Sequence, residues 1–242
     1  MTQTPTKHTL LLLAALLFTS SLAVAMWFVR YAYTGTIHFV FLLWNLFLAW
    51  LPVLFALLAR RKGASRLGRW IWGGLWLLFF PNAPYLLTDL LHLGQIGRVP
   101  IWYDLIMLIT FALAGLFVGF ASLFWLHDLV SRSWNRLAGW LFVLLTLGLS
   151  SFGVYIGRFL RWNSWDLLFN PTILLRDLAD HLLVRSQLME TAVVTGLLTA
   201  VFIGSYFIIF ALPPQLHEKR EIGDQRLEIR GQSPISSLHW RR

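Results

Sequence analysis

The sequence predicts an all-α membrane bundle of about six transmembrane helices, and three observations support this fold class. Of its 242 residues, 57% are hydrophobic and 13% are charged, a balance outside the range of soluble globular domains. The mean hydropathy is +0.66. Apolar runs of roughly 20 residues, the length at which a helix crosses a hydrocarbon core of about 30 Å, recur along the chain. We therefore expect one integral membrane domain over residues 1–212 and a disordered cytoplasmic tail over residues 213–242.

The expected transmembrane helices comprise five continuous apolar runs and one that is interrupted. They cover about residues 9–29, 37–59, 70–93, 102–127, 134–157 and 189–212. The first run also resembles a secretory signal peptide, because Lys7 precedes an apolar stretch and Ala23-Val24-Ala25 follows it. The apolar character continues to Val29, which favours an uncleaved anchor, and cleavage stays open at this point.

The distribution of basic residues predicts the orientation of the bundle. When alternate loops are assigned to the two sides, fourteen of the 20 Lys and Arg residues fall on the side of the termini. Cytoplasmic loops carry the excess of Lys and Arg, so both termini are expected in the cytoplasm. Six of these basic residues belong to the tail, and without them the short loop from Arg60 to Arg69 decides the orientation.

The third run is interrupted by the segment Pro81-Asn82-Ala83-Pro84. From Trp70 to Phe80 a helix covers only about 17 Å at 1.5 Å per residue. Proline lacks an N–H donor and disfavours helix in the residue before it, so several carbonyl groups are expected to lose their partners. Such backbone is tolerated at membrane depth only against protein or a water-filled cavity. The third helix is therefore expected to be broken at Pro81–Pro84, beside a cavity.

Asn82 is expected to cap a second helix from about Ala83 to Leu93. Four polar residues of this helix share one face: Tyr85, Thr88, Asp89 and His92. Ionisable residues in or near an apolar zone indicate function by default, so Asp89 and His92 are the candidate catalytic residues. The alternative interpretation is a proline kink with an interfacial cap, in which Asp89 and His92 reach headgroup water.

Further polar residues follow the fifth run, on the same outer side as Asp89. They include two arginines, whose guanidinium groups bind phosphate or carboxylate through paired hydrogen bonds. The candidate substrate-binding residues are Asn82, Tyr85, Thr88, Arg158, Arg161 and Asp166. An equally good interpretation of the arginines is an interfacial belt, in which Trp anchors the helix and Arg extends to water.

An amphipathic helix over residues 171–185 is expected after Asn170-Pro171. Leucine and isoleucine occupy one side of it, and Arg, Asp and His occupy the other. Such a helix lies in the membrane interface, where it could also cover a cavity.

Several classes of function are excluded by composition. The net charge of +9 does not indicate nucleic-acid binding, because Lys and Arg cluster between apolar runs instead of along one face. The chain contains no cysteine, and so no disulfide, thiol nucleophile or thiolate metal site. Asp89 and His92 resemble half of a carboxylate and histidine metal site, but the second half is missing. The expected partner is the lipid bilayer, with no metal and no identified cofactor.

Three blocks of the sequence resemble an uncharacterised family of bacterial membrane proteins, the family of domain of unknown function 1361. The most specific block is FPNAPYLLTDLLHL at residues 80–93, and the others are WYD at residues 102–104 and GRFLRWNSWD at residues 157–166. The resemblance covers roughly residues 40–212. It implies a multi-pass protein of a bacterial inner membrane but no activity, so the candidate site rests on the residues alone.

Three functions remain open for the polar, outward-facing cavity that the sequence predicts. An integral-membrane enzyme would act on a lipid or lipid-linked substrate, with Asp89 or His92 as acid or base. A permease, or a subunit of one, would use Asp89 to bind a cation or proton beside the broken helix. An assembly or scaffold protein would bind no ligand. The sequence gives no reaction type, and whether the chain is an enzyme stays open.

Overall fold

The computed structural model describes residues 7–61, 63, 65–94 and 99–211. The tail predicted from residue 213 lies outside the described residues. The chain divides into two units, one through Ile203 and one from Gly204. All the residues of the candidate site described below belong to the first unit. The described part of the second unit, residues 204–211, is the end of the last helix.

The described residues are helical and contain no strand. The α-helices are α1 (Lys7–Thr34), α2 (Val40–Ala59), α3 (Arg66–Phe79), α4 (Asn82–Tyr85), α5 (Ile101–Ser133), α6 (Arg136–Tyr155), α7 (Asp166–Phe169), α8 (Pro171–Leu183) and α9 (Arg185–Ala211). A 3-10 helix, Leu86–His92, follows α4, and a π-helical turn, Ile156–Leu160, follows α6.

Five helices in the described part of the chain are long and apolar enough to cross a membrane: α1, α2, α5, α6 with its π-helical turn, and α9. The predicted all-α membrane bundle is thereby confirmed. Helix α2 packs on both α3 and α5, and α5 also contacts α1, α4, the 3-10 helix and α6. A buried core lies among α1, α2, α4 and α5, and includes Trp27, Leu42, Ala83 and Phe111.

Helix α5 continues to Ser133, beyond the end predicted at residue 127. Four of the six residues that follow His127 in this helix are polar, which is why hydropathy alone ended the run too early: Asp128, Ser131, Arg132 and Ser133. His127 is 4% exposed, and its ring contacts that of Trp140 in α6. It is therefore part of the packing between α5 and α6.

The third run is broken at Pro81, as the sequence predicts, but the chain does not unwind there. Helix α3 ends at Phe79, and Phe80 and Pro81 keep right-handed helical angles before α4 begins. The second helix predicted from about Ala83 to Leu93 is present over Asn82–His92, but only its first turn is α-helical and the rest is the tighter 3-10 helix. At 1.5 Å per residue α3 covers about 21 Å, less than the hydrocarbon core of about 30 Å.

The carbonyl groups at the break keep hydrogen-bond partners. The N–H of Ala83 donates to Phe80 O over 3.1 Å, and the N–H of Tyr85 donates to Pro81 O over 3.0 Å. The Asn82 carboxamide donates to the carbonyl oxygen of Phe79 over 2.9 Å. Asn82 is thus not the predicted N-cap of a following helix. Its amide nitrogen instead donates to the last carbonyl group of the preceding helix, that of Phe79, whose usual α-helical donor, the N–H of Ala83, is bonded to Phe80 O.

Two glycines of α5 allow the broken segment to pack closely in the core. A Cβ at Gly115 would lie 2.6 Å from the carbonyl oxygen of Ala83, and one at Gly119 would lie 2.8 Å from the Ala83 Cβ. Both distances are shorter than van der Waals contact. Small residues four apart let helices approach closely in membranes, and here they let α4 lie directly against the backbone of α5.

Two further glycines hold the same segment from the other side. A Cβ at Gly153 of α6 would lie 2.9 Å from Pro81 Cγ, and one at Gly157 would lie 3.2 Å from Tyr85 Cε2. The segment around Pro81–Tyr85 is therefore enclosed between a Gly-x-x-x-Gly face of α5 and a second one at the end of α6.

A buried ion pair joins α1 to α5. Arg30 Nε donates to Asp104 Oδ1 over 2.8 Å and Arg30 Nη2 to Asp104 Oδ2 over 3.3 Å, and both residues are almost fully buried. The guanidinium carbon of Arg30 also lies 4.7 Å from the ring centre of Phe39. A buried arginine is tolerated when its charge is paired in this way. Asp104, from the WYD block, is therefore paired with Arg30 of α1 and does not belong to the site around Asp89.

A second set of ion pairs marks the opposite end of the bundle, where α2 and α5 end. Asp128 accepts from Arg132 Nε over 2.8 Å and lies 3.8 Å from Arg60 Nη2. These groups are partly exposed, so each pair contributes little to stability. They place the basic short loops at one end of the bundle and the residues around Asp89 toward the other.

Candidate functional site

The buried carboxylate of Asp89, on the 3-10 helix, is the centre of the candidate site. Asp89 is 1% exposed. Arg158 Nη2 donates to its Oδ1 over 2.6 Å, and Asn45 Nδ2 donates to its Oδ2 over 3.0 Å. Hydrogen bonds between ionised partners are stronger than neutral ones, and a buried carboxylate needs such a partner. Both oxygens of Asp89 are thus bound by side chains from two other elements.

Arg158 reaches Asp89 from the π-helical turn, where the N–H of Arg161 donates to the carbonyl oxygen of Ile156. Its Nε donates to Thr88 Oγ1 over 3.0 Å, and its guanidinium carbon lies 4.9 Å from the ring centre of Tyr85. A cation over an aromatic face is attracted by the ring quadrupole. Single π-helical turns inside α-helices are frequent at functional sites.

Three of the four residues predicted to share a polar face therefore contact one arginine. Tyr85, Thr88, Asp89 and Arg158 form a contiguous group that we call the ion-pair cluster. The sequence predicts that the members of this cluster share one side of the membrane, and in the structure they are in contact.

Asn45 is a member of the site that the sequence analysis does not identify. It lies in an otherwise apolar stretch of α2, where an isolated amide ordinarily serves helix packing. In the structure its amide supplies the second hydrogen bond to Asp89. The sequence feature that could have identified Asn45 is its isolation, because α2 carries no charged residue and no other carboxamide.

His92 lies against α2 instead of within the ion-pair cluster. Its Nδ1 is 3.2 Å from the main-chain carbonyl oxygen of Asp89, and its ring centre is 4.9 Å from that of Phe41. The imidazole is half-buried at the end of the 3-10 helix.

Arg161 and Asp166 lie in the chain that follows the π-helical turn. Arg161 is exposed and adopts a φ of 62°, in the left-handed region, as the chain changes direction. Asp166 Oδ2 accepts from the N–H of Asn163 over 2.7 Å, which closes the turn before α7. Neither residue joins the Asp89 ion pair within the described residues.

Asn82 connects the broken segment to this same turn. Besides its bond to Phe79, its Nδ2 donates to Ser164 Oγ over 2.9 Å. Ser164 is a second residue that the sequence analysis misses, although it lies within the GRFLRWNSWD block.

A cavity of about 400 Å³ adjoins the ion-pair cluster, between α2, α3, α4, the end of α6 and the turn before α7. Its polar lining residues are Asn45, Asn82, Tyr85, Asn163 and Ser164, with the indoles of Trp44 and Trp162 beside them. The remaining lining includes Leu48, Leu77, Leu78, Leu149, Leu167 and Leu174. A mostly apolar cavity with a few convergent polar groups is the usual form of a small-molecule site.

Helix α8 covers part of this cavity. Leu174, its most buried residue, lines the cavity, and His181 Nε2 is 3.0 Å from the hydroxyl of Tyr155 in α6. Tyr155 is itself buried. The amphipathic helix predicted from the sequence is thus fixed to α6 by a hydrogen bond, with its leucine against the site.

Two other features of the described residues have less bearing on chemistry. An open groove of about 620 Å³ between α1 and α2 has an apolar lining apart from Ser20 and Ser21, the first of which accepts a hydrogen bond from Trp50. Within the described ranges no group of three or more His, Asp or Glu side chains is placed to hold a metal ion.

Comparison with known protein families gives a match over most of the described chain. The model of a family described as "Protein of unknown function (DUF1361)" matches residues 44–203. No curated protein and no solved structure matches. The matched residues include Asn45, the broken segment, the ion-pair cluster and α8, so every residue of the candidate site lies within the match.

Proposed function

The chain belongs to the DUF1361 family, and from its site we propose that it binds and acts on a lipid or lipid-linked substrate in the membrane. The description of the family assigns no activity. The observation that carries this proposal is the cavity of about 400 Å³, which combines leucine walls with a cluster of amides and hydroxyls. A molecule that fills it must itself have an apolar and a polar part.

The polar part of the ligand is assigned to the end of the cavity formed by the broken segment and the turn before α7. There Asn82, Tyr85, Asn163 and Ser164 offer hydrogen-bonding groups. The apolar part is assigned to Leu77, Leu149 and Leu174, which line the cavity on three different helices. Leu77 and Leu149 are partly exposed on the surface of the bundle, which supports entry of a chain from the bilayer.

The ion-pair cluster is assigned a positioning role in this proposal. Both carboxylate oxygens of Asp89 already accept hydrogen bonds, and Arg158 holds the ring of Tyr85 at the cavity wall. This arrangement favours a positioning role for Asp89 and Arg158 over direct proton transfer, since a general acid or base must reach the reacting group and neither residue lines the cavity. We assign Thr88 to the same positioning group through its bond to Arg158.

The cavity is proposed to open toward the extracytoplasmic side of a bacterial inner membrane, with both termini in the cytoplasm. The support is the excess of Lys and Arg in the short loops at the opposite end of the bundle.

The orientation can be tested by labelling single cysteines, because the natural chain has no cysteine of its own. Tyr33→Cys and Ser133→Cys report on the two ends of the bundle, and both positions are exposed. We expect a membrane-impermeant maleimide to label Tyr33→Cys in intact cells and Ser133→Cys only after lysis. The opposite pattern would overturn the orientation.

Filling the cavity tests the proposed binding of lipid. Leu149→Trp adds an indole to the cavity lining, whereas Leu145→Trp, one turn earlier on α6, adds it to an exposed surface outside the lining. We expect native mass spectrometry of detergent-stripped protein to show tightly held lipid in the wild type and in Leu145→Trp. Leu149→Trp should retain several-fold less. Equal retention by both variants, with unchanged melting temperatures, would contradict a lipid site in this cavity.

A further inference from the structure

We propose that the polar part of the ligand is an uncharged, polyhydroxylated headgroup, such as the sugar of a glycolipid, and this inference rests on the proposed function. The observations that carry it are the charge of the cavity lining, its free hydrogen-bonding groups and its aromatic rings.

The cavity lining contains no charged side chain among the described residues. Asp89 and Arg158, which contact the lining residues Asn45 and Tyr85, form an ion pair of 2.6 Å and compensate each other. Arg161, the other arginine of the candidate site, is exposed and is not part of the lining. A phosphate or carboxylate headgroup would therefore meet no uncompensated cation among the described residues of the lining, and it would lack the charge-assisted hydrogen bonds that anions usually receive.

The hydrogen-bonding groups in the lining include both donors and acceptors. The Asn82 nitrogen is used by Phe79 and Ser164, which leaves its carboxamide oxygen as an acceptor. The Ser164 oxygen accepts from Asn82 and so retains its O–H as a donor. Within the described residues, the Asn163 carboxamide has no protein partner and adds one acceptor and two donors. A hydroxyl both donates and accepts, whereas a phosphate only accepts, so this mixture favours hydroxyl groups.

Three aromatic rings complete the lining: those of Trp44, Tyr85 and Trp162. The faces of such rings carry partial negative charge and attract the polarised C–H groups of a sugar ring. They would also attract a quaternary ammonium, which makes phosphocholine the competing headgroup. However, the guanidinium of Arg158 already lies over the ring of Tyr85. A second cation at that ring would meet this positive charge, which favours a neutral headgroup.

The test compares headgroups on identical acyl chains. The full-length protein is reconstituted in phosphatidylcholine nanodiscs that contain a small, equal fraction of monoglucosyl diacylglycerol, phosphatidylglycerol or diacylglycerol, and native mass spectrometry measures which lipid stays bound. We expect retention of the glucosyl lipid to exceed that of each other guest by about tenfold, equivalent to about 1.4 kcal/mol. Asn163→Ala, at an exposed side chain, should remove most of this preference, and Ser133→Ala, outside the cavity, should leave it unchanged.

The outcomes separate the two proposals. If phosphatidylglycerol or phosphatidylcholine is preferred, the proposed glycosyl headgroup is wrong and the lipid site stands. The same conclusion follows if all guest lipids are retained equally and Leu149→Trp lowers the retention of all of them. A preference that survives in Asn163→Ala also overturns the assignment of the headgroup to this lining. If no lipid is retained above its mole fraction and Leu149→Trp changes nothing, both proposals fail.

Discussion

Arg158→Ala is expected to lower the free energy of unfolding by about 3–5 kcal/mol, because it leaves the buried carboxylate of Asp89 without its charged partner. The same substitution removes the guanidinium from the Tyr85 ring and the hydrogen bond to Thr88. Thermal or denaturant unfolding in detergent micelles, followed by intrinsic fluorescence, measures the loss. Arg161→Gln is the matched control, since Arg161 is an exposed arginine three residues away, and its effect should lie within about 0.5 kcal/mol.

A double substitution separates the ion pair from general loss of packing. Asp89→Asn combined with Arg158→Met removes both charges while keeping an amide that can bond to Asn45. Replacing both members of a buried pair by neutral groups is often without net effect, so the double variant should recover most of the stability that Arg158→Ala loses. A double variant no more stable than the single one would show that the cluster is held by the shape of Arg158 and not by its charge.

The fold class and the location of the site could be predicted from the sequence because both depend on local patterns. Hydropathy over windows of about 20 residues reveals a membrane helix without knowledge of its neighbours. The polar positions Tyr85, Thr88 and Asp89 follow from helical spacing alone, and Arg158 shares their side of the membrane by the alternation of loops. None of these steps requires knowing which helices are adjacent.

The contacts of the site could not be predicted, because they depend on which helices pack together. Asp89 is separated from Asn45 by 44 residues and from Arg158 by 69, and nothing in the local sequence pairs them. Similarly, the partner of Asp104 is Arg30, 74 residues earlier, on a helix that lies outside the family match. Charged residues at the ends of apolar runs on the same side of a membrane are candidates for such pairs. Arg30 and Asp104 both occupy positions of this kind.

The conformation of the broken segment shows a different limit of sequence reasoning. Proline rules predict that Phe80 and Ala83 leave the helical region, yet the chain keeps helical angles through Phe80, Pro81 and Tyr85. Tertiary packing accounts for the difference. The segment is enclosed between glycine faces on α5 and α6. The Asn82 side chain also donates to Phe79 O, because the N–H of Ala83, the usual donor to that oxygen, is bonded to Phe80 O.

The glycine faces give the second large expected effect. Gly115→Val should prevent α4 from reaching its position, because even a Cβ at residue 115 would lie 2.6 Å from the carbonyl oxygen of Ala83. Overpacking of a well-packed core typically destabilises by about 1–3 kcal/mol. We expect at least this loss here, because the obstructing atom belongs to the backbone and cannot rotate away. Gly115→Ala should show the same direction with a smaller size.

The matched control for the glycine substitutions is Gly148→Ala on α6, where a Cβ would meet nothing within 4 Å. Alanine is a better helix former than glycine by about 1 kcal/mol, so Gly148→Ala should leave stability unchanged or raise it, while Gly115→Ala lowers it. Stability changes of opposite sign for the same substitution on two helices would attribute the loss to the contact between α4 and Gly115.

Since the packing of α4 against Gly115 also positions Asn82 and Tyr85 at the cavity, Gly115→Ala should weaken lipid retention as well, and Gly148→Ala should not. A stable Gly115→Val protein with normal retention would contradict this account of how the broken segment is held.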